Sequence, residues 1–118
     1  MKLNHLNLTV TDVPAASSFL EKYFGLRNMG GDLRMAVLTD DHAEWGFVLT
    51  LMKAGRKAPV AYPGTFHIGF FVNSRKTVND VHRRLKKDGL DAPAPKKHNH
   101  GYGFYVKAPG GFTVELGA

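Results

Sequence analysis

Two histidines and one glutamate stand at positions from which they could bind a metal ion. His5 and His67 each lie in a short segment of alternating apolar and polar residues, and Glu115 lies in the apolar closing segment. A carboxylate is costly to bury among apolar side chains unless it is paired or binds a cation. Two neutral imidazoles and one carboxylate suit divalent Fe, Mn, Ni or Zn and leave coordination positions open for a substrate. The sequence therefore predicts His5, His67 and Glu115 as metal ligands.

The elements that carry these residues occur twice along the chain. Three features recur at offsets of 62 to 65 residues, namely His5 with His67, Gly25-Leu26 with Gly89-Leu90, and Gly46-Phe47 with Gly111-Phe112. Internal similarity at a fixed offset is typical of a duplicated structural unit. When the two Gly-Phe pairs are aligned, Thr50 falls on the position of Glu115. Taken singly, each histidine could be a structural residue and Glu115 a rim charge, but their coincidence with the repeat favours the metal site.

Hydrophobic periodicity predicts the same order of elements in each copy. The first copy has a strand over residues 3–10, a helix ending at Gly25, a turn at Gly30-Gly31-Asp32, and strands over 35–39 and 46–52 flanking a polar tip at Asp40-Asp41-His42. The second has a strand over 66–72, a helix ending at Asp88-Gly89, a polar loop over 92–100, and closing strands over 102–107 and 111–117. Trp45 is expected to cover the core.

These elements predict an α+β fold. We expect a single domain of two β-α-β-β-β modules, about residues 1–53 and 65–118, that form a curved mixed sheet, because 118 residues suffice for one hydrophobic core. The segment over 54–64, rich in Gly, Pro and small residues, is predicted to link the modules.

Composition narrows the functional classes. The absence of cysteine excludes disulfides, thiolate metal sites and thiol nucleophiles. The net charge of +6 favours anionic ligands, but the basic residues are dispersed, so nucleic acid is not an expected partner. No apolar stretch is long enough to span a membrane, and the first residues lack the apolar core of a signal peptide, which predicts a cytoplasmic protein.

Three motifs resemble one known family. They are residues 4–10 (NHLNLTV) followed by 23–26 (YFGL), residues 66–70 (FHIGF), and residues 104–116 (FYVKAPGGFTVEL). Together they resemble the vicinal oxygen chelate superfamily, which includes glyoxalase I, extradiol dioxygenases, fosfomycin-resistance transferases and bleomycin-resistance proteins. The resemblance covers essentially the whole chain and is specific for the superfamily rather than for any member.

The resemblance implies a metal site and a dimer. His5, His67 and Glu115 fall on the metal positions of the family. Thr50 stands where glyoxalase I carries a glutamate ligand, so the chain departs from lactoylglutathione lyase and is closer to the three-ligand fosfomycin transferases and extradiol dioxygenases. Members of this size are usually homodimers with shared active sites, which implies that His5 of one subunit completes the site of the other.

The resemblance also suggests residues that contact the substrate. Tyr105 matches a tyrosine that contacts phosphonate in the fosfomycin enzymes, whose potassium-binding loop is replaced here by residues 99–103. Tyr102 is expected to face the site beside Tyr105, and the loop side chains His98, His100 and Lys97 could act on a bound substrate. The predicted catalytic residues are Tyr105 and His100, and the predicted substrate-binding residues are Asn7, Thr50, Lys97 and Tyr102.

Two functions of different class follow. The first is a metal-dependent enzyme, a dioxygenase, lyase or transferase, that chelates a small, oxygen-rich, anionic substrate. The alternative is a non-catalytic binding protein, such as an antibiotic-resistance protein, that holds a small molecule in the same crevice without metal. Retention of three ligand residues favours the enzyme. Bleomycin itself is a poor fit, because it is cationic and this chain is basic.

Overall fold

The computed structural model describes residues 1–40 and 46–118. Its elements, in chain order, are β1 (His5–Val10), α1 (Val13–Phe24), β2 (Arg27–Gly31), β3 (Met35–Thr39), β4 (Val48–Lys53), β5 (Ile68–Phe71), α2 (Arg75–Lys87), β6 (Lys96–His98), β7 (Gly101–Ala108) and β8 (Phe112–Gly117). The described chain divides into two compact units, the first of residues 1–62 and 109–111 and the second of residues 63–108 and 112–118. Neither described helix is long and apolar enough to cross a membrane.

The first unit is a four-stranded mixed sheet with one helix. The strand order is β1-β4-β3-β2, in which β1 and β4 run parallel and the other neighbours antiparallel. Helix α1 contacts β2, β3 and β4. Alternation along the strands turns Leu8, Val10, Leu38 and Leu51 toward the buried side. His5, on the other face of β1, is left exposed.

The second unit repeats this arrangement. Its strand order is β5-β8-β7-β6, with β5 and β8 parallel and the other neighbours antiparallel, and α2 contacts β7 and β8. The buried side chains are mainly Val78, Val81 and Leu85 of the helix and Phe104, Val106, Phe112, Val114 and Leu116 of the sheet. The observed order of elements confirms the predicted α+β fold with two β-α-β-β-β modules.

The ends of both helices are fixed by their own sequences. The Asp12 carboxylate accepts a hydrogen bond from the Ala15 N–H at 3.0 Å, and the Ser74 hydroxyl accepts one from the Thr77 N–H at 3.2 Å. Each bond satisfies an N–H that the first turn of a helix leaves without a partner. Helix α1 ends where Gly25 adopts a left-handed φ of 70°, a conformation that glycine tolerates best.

The strand register confirms the alignment of the two copies. Asn7 pairs with Thr50 between β1 and β4, and Gly69 pairs with Glu115 between β5 and β8. Thr50 and Glu115 therefore occupy equivalent positions in their sheets, as the sequence repeat indicates.

The residues that form one strand of each module were not predicted as strands. Gly30 and Gly31, expected in a turn, belong to β2, and residues 96–98, expected in a loop, form β6. Both are edge strands that pair through the backbone with one neighbour, so their side chains show no buried stripe. The predictions for His42 and Trp45 lie outside the described residues.

Candidate metal centre

The sheet of the second unit has one face toward α2 and one face away from it. We call the latter the open face. Because directly paired residues share a face and alternate residues along a strand share a face, the register assigns its members. They are His67, Gly69 and Phe71 of the β5 segment, Thr113, Glu115 and Gly117 of β8, Gly103, Tyr105 and Lys107 of β7, and Lys96 and His98 of β6.

His67 and Glu115 are in contact on this face. The imidazole Nε2 lies 3.2 Å from the carboxylate Oε2, and the two side chains are 37% and 17% exposed. The other ring nitrogen, Nδ1, lies 3.0 Å from the Thr65 carbonyl oxygen. A carbonyl only accepts hydrogen bonds, so Nδ1 carries a proton and donates it. Nε2 and the carboxylate therefore face each other, and a cation between them, either a proton or a metal ion, makes the contact favourable.

Tyr105 extends this pair. It is the cross-strand partner of Glu115, and its ring meets the His67 ring edge to face with centroids 5.3 Å apart. The hydrogen bond to the Glu115 carboxylate, followed by partial burial and the negative charge of Glu115, raises the pKa of the Tyr105 phenol above 10.0. The phenol therefore stays protonated near neutral pH and can donate a hydrogen bond to an oxygen atom on the open face.

His67 and Glu115 suit a divalent metal ion. Two ligands bonded at about 2.1 Å to one ion stand about 3.0 Å apart at a right angle and about 3.4 Å apart at the tetrahedral angle. The observed 3.2 Å falls between these values. The bond from His67 Nδ1 to a backbone carbonyl is also the usual way in which a metal-ligating histidine is oriented.

A third ligand from the same chain is not in place. Among residues 1–40 and 46–118, no three His, Asp or Glu side chains come close enough together to hold a metal ion. His5 lies on β1 of the first unit, where its Nδ1 is 2.7 Å from the Asn4 side-chain oxygen. The structure thus brings together two of the three predicted ligands.

The other predicted site residues are distributed over both units. Asn7 and Thr50 are paired on the face of the first sheet that carries His5. Lys97 on β6 is exposed but pairs with Tyr102, so it does not share the open face with Tyr105 as expected, and His100 is exposed in the turn after β6.

The expectation that Tyr102 and Tyr105 face the same side is wrong. The Tyr102 hydroxyl donates to the Asn79 side-chain oxygen of α2 at 2.8 Å, and the Arg75 guanidinium lies over its ring. An odd spacing of three residues along a strand puts the two side chains on opposite faces. Tyr102 therefore faces the helix.

Three residues of the open face, His98, Lys107 and Thr113, were not among the predicted metal-binding, catalytic or substrate-binding residues. The Nε2 atom of His98 is buried and has no hydrogen-bond partner among the described residues, and its ring centroid is 5.9 Å from that of Tyr105. Lys107 and Thr113 line, with His67 and Tyr105, a groove of about 530 Å³. Strict alternation from Tyr105 along β7 could have indicated Lys107 from the sequence, whereas His98 lies on a strand that was not predicted.

Comparisons with known proteins identify the family. A possible glyoxalase from Bacillus cereus is 50% identical and has a TM-score of 0.88, with 100% of this chain and 99% of that chain covered. An uncharacterized protein of Pseudomonas aeruginosa is 29% identical over 97% of this chain and 86% of its own length. A fosfomycin resistance protein from Listeria monocytogenes, in complex with Mn(II) and a dihydroxypropylphosphonic acid, shares the fold at 20% identity, with a TM-score of 0.78 over 99% of this chain and 91% of its own. Residues 2–116 match the family model, and the chain belongs to the Glyoxalase/Bleomycin resistance protein/Dioxygenase superfamily.

Proposed function

We propose that this protein is a divalent-metal-dependent enzyme that acts on a small, oxygen-rich, anionic substrate. The observation that supports this most strongly is the contact between His67 Nε2 and Glu115 Oε2 at 3.2 Å, with the opposite ring nitrogen held by the Thr65 carbonyl. An ion pair that only stabilises the fold would not require a backbone carbonyl to orient the imidazole. It would also not require a position on an open sheet face beside a groove. The resemblance to fosfomycin transferases and extradiol dioxygenases and the match to the superfamily favour transferase, dioxygenase or lyase chemistry.

His67 and Glu115 would hold the metal, with His5 of the partner subunit as the third ligand. A bound divalent ion supplies Lewis acidity toward substrate oxygens, or redox chemistry if it is iron. The dimer that this requires follows from the family resemblance and is part of the proposal. Fe, Mn, Ni and Zn are all compatible with two imidazoles and one carboxylate.

Tyr105 has the role of hydrogen-bond donor. Its raised pKa keeps the proton on the phenol, and its contact with Glu115 places the hydroxyl at the metal-binding pair. A donor fixed in this position stabilises negative charge that develops on a substrate oxygen. His98 lies beside the Tyr105 ring, and its buried Nε2 has no hydrogen-bond partner among the described residues.

Three of the remaining predicted residues belong to the rim of the proposed site. Asn7 and Thr50 lie on the same sheet face as His5 and would contact the substrate from the partner subunit. His100, exposed in the turn after β6, could close over a bound anion, whereas Lys97 pairs with Tyr102 on the face opposite Tyr105 and is not part of the proposed site.

Metal titration of the Glu115→Gln variant tests the proposal. Glutamine keeps the shape of the side chain but loses the charge that a divalent ion requires, so we expect metal affinity to fall by about 100-fold or more. Glu21→Gln is the matched control. Glu21 lies on α1, accepts a hydrogen bond from Ser17 at 3.1 Å that glutamine can also accept, and is exposed. Wild-type affinity in the Glu115→Gln variant would refute the assignment.

Mixing two inactive variants tests the shared site. His5→Ala and Glu115→Gln should each lose tight metal binding as homodimers. In a mixed dimer, one of the two sites combines the intact His5 of one chain with the intact His67 and Glu115 of the other. Free exchange at equal concentrations should therefore restore about one quarter of the wild-type metal content. If mixing restores no metal, the site is not shared between subunits.

The groove favours the binding protein as the second candidate function. Its volume of about 530 Å³ and its aromatic wall, formed by Phe66 and Tyr105, are sufficient to hold a small molecule without a metal ion. Chelation distinguishes the two functions. A ligand found by thermal-shift screening should lose its affinity in excess EDTA if the protein is a chelating enzyme, and should keep it if the protein only sequesters the ligand.

A further inference from the structure

We propose that Lys107 and Thr113 form an oxyanion subsite that binds the carboxylate, phosphate or phosphonate group of the substrate. This inference rests on the proposed function, which it deepens by assigning the charged end of the substrate to a defined place. Lys107 and Thr113 are cross-strand partners, and the lysine Nζ donates a hydrogen bond to the threonine Oγ1 at 2.9 Å.

The subsite adjoins the proposed metal ligands. Glu115 and Thr113 are two residues apart on β8, and Tyr105 and Lys107 are two residues apart on β7, so both pairs project from the same face. Two residues along a strand span about 7 Å. A substrate of a few carbon atoms can therefore place one end at His67 and Glu115 and an anionic group at Lys107. All of these residues except Glu115 line the same groove.

The Lys107 ammonium lacks an anionic partner. Among the described residues it makes one side-chain hydrogen bond, to Thr113, and no ion pair. Lys76, by contrast, pairs with Asp80 at 2.7 Å. Glu115, the carboxylate of the next cross-strand pair, is already engaged with His67 and Tyr105. An ammonium beside a groove with an aromatic wall is therefore available to an incoming oxyanion, and such charge-assisted bonds are stronger than neutral ones.

Thr113 adds a second hydrogen-bond donor to the Lys107 charge. The pair is therefore suited to a single oxyanion, whereas a lone ammonium attracts any negatively charged surface. The Thr113 hydroxyl oxygen accepts from Lys107, which leaves the hydroxyl proton free to donate. The ammonium and the hydroxyl thus present two donors on neighbouring strands. Two donors match two oxygens of one carboxylate, phosphate or phosphonate group.

The first unit provides an internal comparison. Its equivalent pair, by strand register, is Thr39 with Val48. Thr39 is 3% exposed, and the pair carries no charge. The cation is therefore not a requirement of the repeated fold. It occurs in the copy that also carries Glu115.

An anion titration of the full-length chain tests the subsite. Inorganic phosphate and acetate are the probes, and the backbone amide shifts of Lys107 and Thr113 report binding by NMR, with zinc bound and again in EDTA. We expect a saturable shift in both conditions, with dissociation constants raised about fivefold or more by Lys107→Gln. The tighter probe identifies the preferred oxyanion. Thr113→Val, which keeps the side-chain shape, should weaken binding by a smaller factor.

Lys96→Gln is the matched control, because Lys96 is an exposed lysine of the same sheet face on the edge strand β6. Equal weakening by Lys96→Gln and Lys107→Gln would mean attraction by net charge and would overturn the subsite. So would a shift that does not saturate, or unchanged affinity in Lys107→Gln. If Lys107→Gln binds the anion as tightly as the wild type while Glu115→Gln loses metal, the metal site is supported and the subsite is not. If Glu115→Gln keeps metal while Lys107→Gln loses the anion, the proposed enzyme is wrong and the anion site stands.

Discussion

The two sheets of this protein share one backbone plan but carry different side chains on their outer faces. At equivalent positions the second sheet has Glu115 and Tyr105, whereas the first has Thr50 and Val37. Strand order is the same in both, and the pairings of β1, β4 and β3 match those of β5, β8 and β7. The shared backbone arrangement therefore determines which positions lie on the outer face. A few sequence differences between the copies determine which copy carries the carboxylate, the phenol and the ammonium.

The faces that the helices cover differ much less. Leu51 and Leu116 occupy equivalent positions next to Thr50 and Glu115 and are 0% and 2% exposed. Packing thus constrains both copies in the same way. We therefore expect stability to depend on the covered faces and the proposed chemistry to depend on the outer ones.

Shortening the equivalent leucines should give the largest effect. Leu51→Ala and Leu116→Ala each leave a cavity in a packed core, so we expect each to lower the free energy of unfolding by about 2–5 kcal/mol. Thr50→Ala, one residue away on the outer face, should cost less than about 1 kcal/mol. Urea denaturation followed by circular dichroism measures all three. A loss at Thr50 as large as that at Leu51 would contradict the separation of the two faces.

Adding a carboxylate to the first sheet should have an intermediate effect. Thr50→Glu gives the first copy the residue that the second copy has at this position. If the two outer faces meet in a shared dimer site, the added anionic donor should tighten metal binding about tenfold. Calorimetric titration against Thr50→Gln, which adds the bulk without the charge, measures it. Equal affinities of the two variants would show that Thr50 is remote from the metal.

The smallest expected effect is on the pKa of Tyr105. Its equivalent in the first copy is Val37, which does not titrate. Glu115 is the main cause of the raised pKa of Tyr105, so Glu115→Gln should return that pKa toward 10.0 in metal-free protein. Absorbance near 295 nm follows the phenol. If the highest tyrosine pKa is the same in the variant as in the wild type, Glu115 does not interact with Tyr105.

The same shift predicts an alkaline loss of stability. A phenol whose pKa is higher in the folded protein contributes stability that is complete below the unfolded pKa and is lost as pH rises through the folded value. Tyr105→Phe should therefore lose less stability than the wild type between about pH 9 and pH 11. Denaturation at several pH values measures the difference, and parallel curves would contradict the assignment.

The repeat in the sequence was enough to predict the fold and to align Thr50 with Glu115. Both predictions depend on the regular spacing of buried residues, which apolar residues such as Leu8 and Leu116 indicate in the sequence. Edge strands lack this signal, because their stability comes from backbone hydrogen bonds with one neighbour. The strand that carries His98 was missed for this reason.

The details of the site depend on register, which the sequence gives only in part. Tyr102 was expected on the same face as Tyr105, although their odd spacing of three residues places them on opposite faces of a regular strand. The proposed role of Lys107 can be recognised only when Thr113 is known to be its cross-strand partner. The contact between His67 and Glu115 joins residues far apart in the chain, and the repeat indicated a relation between them but not their separation of 3.2 Å.

The proposed metal centre is tested most directly by an anomalous difference map from crystals of the zinc-loaded protein. We expect one strong peak per chain at about 2 Å from both His67 Nε2 and a Glu115 oxygen, with His5 of the partner subunit as a further ligand. Zinc peaks that all lie away from both His67 and Glu115 would contradict this assignment.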